Sequence, residues 1–514
     1  MTCANWLSLL PYLLRAVSRM PVPAAAIALT ACMPQSLLQL DKSYAAAPAD
    51  PAVYWHDYQA SSGTQQAATV SNPHEDKQID TKITYDLPAL VDLALHTNPA
   101  TRVSWEEAKA AAARLERNRS AWYPTLTAIA FGQYFKTSFP ITGGALISNG
   151  YSALGSLDLA WTLFDFGRRD ALVESGAQRL IAANFAFNRT HQEIAYQVAI
   201  CFFAYQAALA KVSAAQQTFE SASSGTASVK AKLDKGLATR PDMLLAIQEQ
   251  AKASYDLQDA RSAVSQTHAD LTASLGISPS YSLQLIDLSK LPLPAGLAQS
   301  VEKIVDQALE QRPDLMARLA ELRAREAEVK KARADFWPKF SLGGRVGNQY
   351  WGNVHTNPPS IQSYSASNVV GTAMLTMEWT LFDGFERSNA VHEAVAKKEA
   401  SKARLEALRL EIMRDIWKAY AETKTSLEKR EFALALLKAA EESYAATQES
   451  YTQGFSTIIE LLSAQKDLAR ARYSEIDSRA ALLRSAATLV NAAGKQSRGD
   501  FNTDSVTFGK TPPE

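Results

Sequence analysis

The chain has 514 residues, 47% of them hydrophobic and 21% charged, enough for a large core and by length alone for several globular domains. Lys+Arg and Asp+Glu both number 53, so net charge gives no reason to expect nucleic acid or an anionic surface as partner. Three cysteines, two of them near the N-terminus, leave no disulfide framework for a mature chain.

Residues 1–31 read as a signal peptide, with Arg15 and Arg19 ahead of a short apolar run too short to span a bilayer. The run ends in Leu29-Thr30-Ala31-Cys32, which is similar to a bacterial lipobox and makes Cys32 the expected lipid anchor; a plain signal peptide cut nearby is the alternative. Segment 32–84 is polar and Pro-rich, a tail or linker. Cys201, in AICFFAYQ, is expected to be a small buried hydrophobe.

From there the chain is written twice. WTLFDFGRRD at Trp161 to Asp170 returns as WTLFDGFERS at Trp379 to Ser388, 218 residues later. Upstream, Pro124 in AWYPTL matches Pro338 in FWPKF, 214 residues later, so the second copy carries a connection four residues longer. Downstream, Gly236, Tyr255 and Gly276 match Gly454, Tyr473 and Gly494. The copies cover 85–276 and 301–494, joined by a linker at 277–300 and followed by a tail at 495–514; the period is too long for an ordinary solenoid.

Each copy opens with a helical stretch, Leu87 to Ser120 or Val301 to Asp335, that a proline ends. Strands are expected at about 124–136 and 153–165, and at about 338–351 and 368–383, separated by Gly/Ser/Asn-rich loops at 137–152 and 352–368. Leu157, Leu159, Trp161 and Leu163 alternate with Ser156, Asp158, Ala160 and Thr162; Leu375, Met377, Trp379 and Leu381 alternate with Met374, Thr376, Glu378 and Thr380. About ten residues suffice for a tilted strand to cross a bilayer. A soluble sandwich strand has the same alternation, but the rest of each copy offers these strands no soluble core. Trp161 and Trp379, near the strand ends, suit an interfacial aromatic girdle.

After each WTLFD the period becomes helical for some 65 residues, which at 1.5 Å per residue is a rod of about 100 Å. A break at Gly236 or Gly454 precedes a second long helix, giving helical hairpins at about 167–276 and 385–494. The fold class is thus an α+β membrane protein: four strands per chain leading into long antiparallel helices.

The duplicated unit, the Pro-then-strand entry, the WTLFD phrases and the tip phrases GLATRPDML and YTQGFSTIIELLSAQ resemble the TolC family of outer-membrane efflux and secretion channels over about residues 85–495. Gly384 stands one position earlier than Gly167, so the turn there is expected to differ between copies. The resemblance implies a homotrimer in outer-membrane lipid of a Gram-negative cell, with a twelve-stranded barrel continuing into a helical barrel across the periplasm. It implies docking to a periplasmic adaptor and an inner-membrane pump of RND or ABC type, with passive export of drugs, metals or proteins. It also implies no enzymatic activity, cofactor or metal.

The resemblance further places Tyr451 and Glu460, with Asp242 as the first copy's equivalent, at the periplasmic aperture. Both carboxylates also suit helix N-terminal capping, and the two readings are compatible. Gly236 and Gly454, with Leu237 and Phe455 beside them, mark the adaptor-docking tips; Asp158, Arg345 and Glu378 are expected to face the pore lumen. The alternative function is a periplasmic coiled-coil adaptor without a pore, which the paired two-faced strands argue against. A soluble hydrolase comes third: the seven histidines are scattered and Gly343 to Gly347 lies within a strand.

Overall fold

The structure, a computed structural model, describes residues 84–494 except 143, 288–292, 295, 296, 298, 299 and 358–363. The expected signal peptide, the lipobox with Cys32 and both tails lie outside the described residues. Each copy begins with two helices: α1 (Leu87–Thr97) and α2 (Pro99–Arg119) in the first, α5 (Val301–Gln311) and α6 (Pro313–Ala334) in the second. The sequence reading joined each pair. Pro99 and Pro313 separate them, because the residue before proline is pushed out of the helical region: Asn98 and Arg312 sit at ψ 124° and 126°. Each proline then opens the next helix, where its missing N–H costs nothing.

The four long strands are β2 (Thr125–Ile141), β3 (Gly144–Phe164), β5 (Lys339–Asn357) and β6 (Tyr364–Glu378). They form one antiparallel sheet in the order β2-β3-β5-β6, with β2 and β6 as its edges. A separate two-stranded parallel pair joins β1 (Thr84–Tyr85) to β4 (Gln284–Leu285). The strands differ from expectation at both ends. The Gly/Ser/Asn-rich stretches expected as loops are mostly strand, since β2 and β3 pair without interruption from Thr125↔Ala160 to Ile141↔Gly144. Local composition reads as loop there, but a partner strand satisfies the backbone groups. At the other end β6 stops at Glu378, so Trp379, Thr380 and Leu381 lie beyond it.

The two hairpins share one register. Asp158 lies opposite Thr127, and their equivalents Thr376 and Ser341 lie opposite one another in the second copy.

The helical part consists of α3 (Arg168–Asp234, 67 residues) with α4 (Arg240–Leu275, 36 residues), and α7 (Glu386–Gln453, 68 residues) with α8 (Ile458–Ala492, 35 residues). Apolar residues three and four apart on α3 build the first core: Ile194, Val198 and Phe202 pack with Leu90 and Ala94 of α1 and Leu271 and Leu275 of α4. The second core repeats this with Ile412 and Ile416 of α7 against Ile304 and Ala308 of α5. A window of α3 is apolar enough to cross a membrane, but half of it is buried inside the chain, so core packing accounts for its apolarity. Cys201 is half-buried beside the first core, and burial pushes its thiol pKa up.

Candidate channel wall and periplasmic tips

Strand pairing places the predicted wall residues on common faces, because directly opposed residues share a side of the sheet. Asp158 of β3 faces Thr127 of β2 and Arg345 of β5, and Arg345 faces Thr372 of β6. This face therefore holds Thr127, Ser156, Asp158, Ser341, Arg345, Thr372, Thr376 and Glu378, with the apolar Ile129, Phe131 and Met374 among them. The opposite face holds Leu157, Leu159, Trp161, Leu342, Val346, Leu375 and Met377, with Leu126 and Tyr134 of β2. The second face is apolar and largely exposed, Leu126 and Leu375 at 66% each. A face that carries the charged pairs, backed by an apolar face that no described residue covers, is the pattern of a membrane barrel wall.

Sequence reasoning placed Asp158 and Arg345 separately. The structure makes them a forked pair: the Arg345 guanidinium donates from Nε at 2.9 and 3.1 Å and from Nη2 at 2.5 Å to the Asp158 carboxylate. Ser156 Oγ adds a donor at 2.9 Å. Glu378 lies directly opposite Lys339, with its carboxylate 3.4 Å from Nζ. The two tryptophans have a role that sequence did not foretell: Trp161 Nε1 donates to the Trp122 carbonyl at 3.0 Å, and Trp379 Nε1 to the Phe336 carbonyl at 3.1 Å. Trp161 near the end of β3 and Trp379 just past β6 are each tied in this way to the entry of the preceding strand.

The strand-to-helix turn is the same in both copies, contrary to expectation. Phe166 and Gly167 have φ of 53° and 86°; Gly384 and Phe385 have φ of 67° and 71°. Two consecutive left-handed residues are required, and the copies fill them with Phe and Gly in opposite order. Arg169 and Arg387, which sequence reasoning missed, lock these turns. Arg169 donates through Nε to Asp165 at 2.9 Å and through Nη1 and Nη2 to the carbonyls of Thr162 and Leu163, with its guanidinium 4.1 Å above Trp122. Arg387 makes the same pair with Asp383 over the Phe336 ring. The signal was present as an Asp followed four residues later by Arg in both phrases.

At the far end, Gly236 (φ 72°) and Gly454 (φ 84°) terminate α3 and α7. The Leu237 N–H reaches the Lys232 carbonyl and the Phe455 N–H the Ser450 carbonyl, closing the last turn in the same way. Leu237 and Phe455 then project at 75% and 88% exposure. Both predicted aperture carboxylates cap helices. Asp242 accepts from the Thr239 N–H at 2.8 Å and its hydroxyl at 2.6 Å, while Glu460 accepts from the Thr457 N–H at 2.8 Å and from the Ser456 hydroxyl. These donors hold both carboxyls below the usual carboxylate range, for Asp242 chiefly the Thr239 hydroxyl and for Glu460 chiefly the Ser456 hydroxyl. Tyr451 is bound from the first copy: Lys232 Nζ lies 3.7 Å above its ring and donates to its carbonyl at 3.2 Å. Burial pushes the Tyr451 hydroxyl pKa up. The two tips also share an apolar cluster of Val229, Ala246, Ile458 and Leu461.

A two-faced sheet that runs into long helical hairpins, written twice in one chain, is the architecture of a barrel-and-tunnel channel protein. The family model for outer membrane efflux protein matches residues 90–277 and 304–495, and the chain belongs to that family. Protein CyaE of Bordetella pertussis is 27% identical over 414 residues, 80% of this chain and 85% of that one. Outer membrane protein OprJ of Pseudomonas aeruginosa is 24% identical over 385 residues, 74% of this chain and 78% of its own. A solved membrane protein from Pseudomonas aeruginosa superposes with a TM-score of 0.69 at 23% identity, covering 79% of this chain and 93% of that one. The chain is therefore an outer-membrane channel protein of efflux or secretion systems and not an enzyme.

Proposed function

We propose that three copies close a twelve-stranded barrel in the outer membrane and form a passive duct for drugs, metals or proteins. The cargo would be handed over by an inner-membrane pump of RND or ABC type through a periplasmic adaptor. The observation that carries this reading is the sheet: four strands, open at β2 and β6, with a polar and an exposed apolar face. Four strands are too few to enclose a lumen, so closure needs further copies. In that assembly Asp158, Arg345 and Glu378 line the lumen, Trp161 and Trp379 sit at the periplasmic interface, and Asp242, Tyr451 and Glu460 surround the narrow end. Gly236, Leu237, Gly454 and Phe455 present the adaptor-docking surface, where Leu237 and Phe455 stand exposed. An anchor at Cys32 would hold the N-terminus in the same membrane.

Recording from detergent-extracted protein in a planar bilayer tests the proposal. Discrete conductance steps from material of trimeric mass support the duct. A water-soluble monomer that carries no current replaces it with a periplasmic adaptor lacking a pore.

A further inference from the structure

We propose that the half of the pore face farthest from the helices is a binding site for uncharged aromatic molecules. Phe131, Phe135 and Trp351 supply the ring contacts and the Ser152 hydroxyl the polar one. The inference deepens the duct reading above and rests on it, since only a closed barrel gives this face a lumen.

Strand register divides the face that carries Asp158 and Arg345 into two zones. Among the described strand residues its charged side chains are Asp158, Arg345, Lys339 and Glu378, and they pair as Asp158–Arg345 and Lys339–Glu378. All four stand in the half next to the helices, where β3 and β6 end and β5 begins. Beyond Asp158 no charge follows on this face. Instead β2 brings Phe131, Phe135 and Phe139 to it, and β5 brings Trp351. Aromatic rings on the polar side of a barrel wall depart from the usual pattern, in which apolar side chains face lipid.

Phe135 and Trp351 belong to strands that do not adjoin, because β3 runs between β2 and β5. Their rings nevertheless meet edge to face, with centroids 5.3 Å apart at 85°. They reach across because the β3 residues between them are small: Gly150 lies opposite Phe135, and Ser152 lies opposite Trp351. An edge-to-face pair uses one ring's edge and one face of the other, and leaves further ring surface for a third aromatic group. Phe131, 46% exposed, stands four residues back along β2. At 3.3 Å per residue that is about 13 Å, so a flat solute can touch both rings.

Ser152 is an independent observation. It is 2% exposed, and its Oγ has no hydrogen-bond partner among the described residues. A buried polar group left unpaired is costly, so a solute group that bonds this hydroxyl gains more than it would at an exposed one. The occupant is therefore an aromatic molecule with a hydroxyl or similar group. It is uncharged, because a charge would leave water for a zone that offers no counter-charge.

Planar-bilayer recording from the full chain with 1-naphthol, a neutral two-ring phenol, tests the site. Brief current interruptions are expected, more frequent as the concentration rises. Decahydro-1-naphthol keeps the hydroxyl without the aromatic rings and is expected to need about tenfold more. Phe135→Leu with Trp351→Leu keeps apolar bulk and removes both rings; it is expected to weaken 1-naphthol about tenfold, measured against the variant's own open-channel current. Phe131→Leu, at an exposed ring, is the milder variant should the double one not assemble, with a loss of about threefold. Ser152→Ala keeps the rings and is expected to cost about fivefold. Tyr134→Leu, on the opposite face of the same strand, controls for solute dissolved in lipid and is expected to respond as the parent does.

Interruptions that persist undiminished in the ring variants, that fall equally in Tyr134→Leu, or that decahydro-1-naphthol matches overturn the site and leave the duct standing. So does an open channel that 1-naphthol does not interrupt. An unchanged response in Ser152→Ala overturns the role of the hydroxyl. Protein that inserts no channel at all overturns the duct, and the site with it.

Discussion

Arg169 grips Asp165 one helical turn earlier with both side chains buried, 5% and 7% exposed, and Arg387 repeats the grip on Asp383. The first pair carries more: Arg169 also holds the carbonyls of Thr162 and Leu163, near the end of β3, at 2.6 and 3.1 Å. Arg387 reaches one carbonyl, that of Asp335, at 3.4 Å. Arg169→Ala leaves Asp165 buried and unpaired and is expected to cost about 3 kcal/mol. Arg169→Lys recovers little, because an ammonium cannot span the same fork of acceptors. Thermal unfolding in detergent is the measurement; Arg387→Ala should lower the midpoint less than Arg169→Ala, and the reverse order would show that the grip is not what holds the turn.

The exchanged Phe and Gly make a second test. Gly384 and Phe385 both occupy the left-handed region, and a Cβ at Gly384 would meet nothing within 4 Å. Gly384→Phe alone therefore adds backbone strain of about 1–2 kcal/mol at a position where the Cβ itself has room. Adding Phe385→Gly recreates the first copy's order and is expected to return most of that loss, as read by the unfolding midpoint. A double variant no better than the single would mean that the aromatic contact of Phe385 with Phe382 matters more than the backbone.

What the sequence disclosed follows from what is local. The alternation of Leu157, Leu159, Trp161 and Leu163 gave the strand and its two faces, because side-chain period is a property of a single segment. Gly236 and Gly454 gave the tips for the same reason. The grip of Arg345 on Asp158 was out of reach, since it depends on the β3–β5 register across 187 residues of chain. So was the contact of Lys232 with Tyr451, made between tips 219 residues apart in sequence. The strand tips around residues 137–152 were misread as loop because Gly, Ser and Asn are weak strand formers whose state is decided by the opposing strand.

The Asp158–Arg345 pair predicts an opposed effect on ion selectivity. In a closed barrel the two charges neutralise one another on the polar face, with side chains 22% and 45% exposed. Asp158→Asn leaves Arg345 uncompensated and is expected to move the reversal potential in a salt gradient toward anions; Arg345→Gln is expected to move it toward cations. The double variant should lie near the starting value. Shifts of the same sign for both single variants would place the pair outside the conduction path.

The tip carboxylates predict a pH dependence and separate capping from gating. Hydrogen bonds hold the Asp242 and Glu460 carboxyls below their ordinary range in the folded protein. A group whose folded pKa is depressed contributes stability above its unfolded pKa, about 4, and loses it as pH falls through the lower folded value. The first turns of α4 and α8 are therefore expected to lose hydrogen-exchange protection below about pH 4, with little change between pH 5 and 8. Glu460→Gln keeps an acceptor oxygen for the Thr457 N–H but removes the charge, so it should retain much of the protection and abolish its acid dependence. Glu460→Ala should lose the protection at every pH. If a ring of these carboxylates also sets the aperture, Glu460→Gln together with Asp242→Asn lowers single-channel cation selectivity although the caps persist. Unchanged selectivity in that double variant, with protection lost only in the alanine variant, would assign both carboxylates to capping alone.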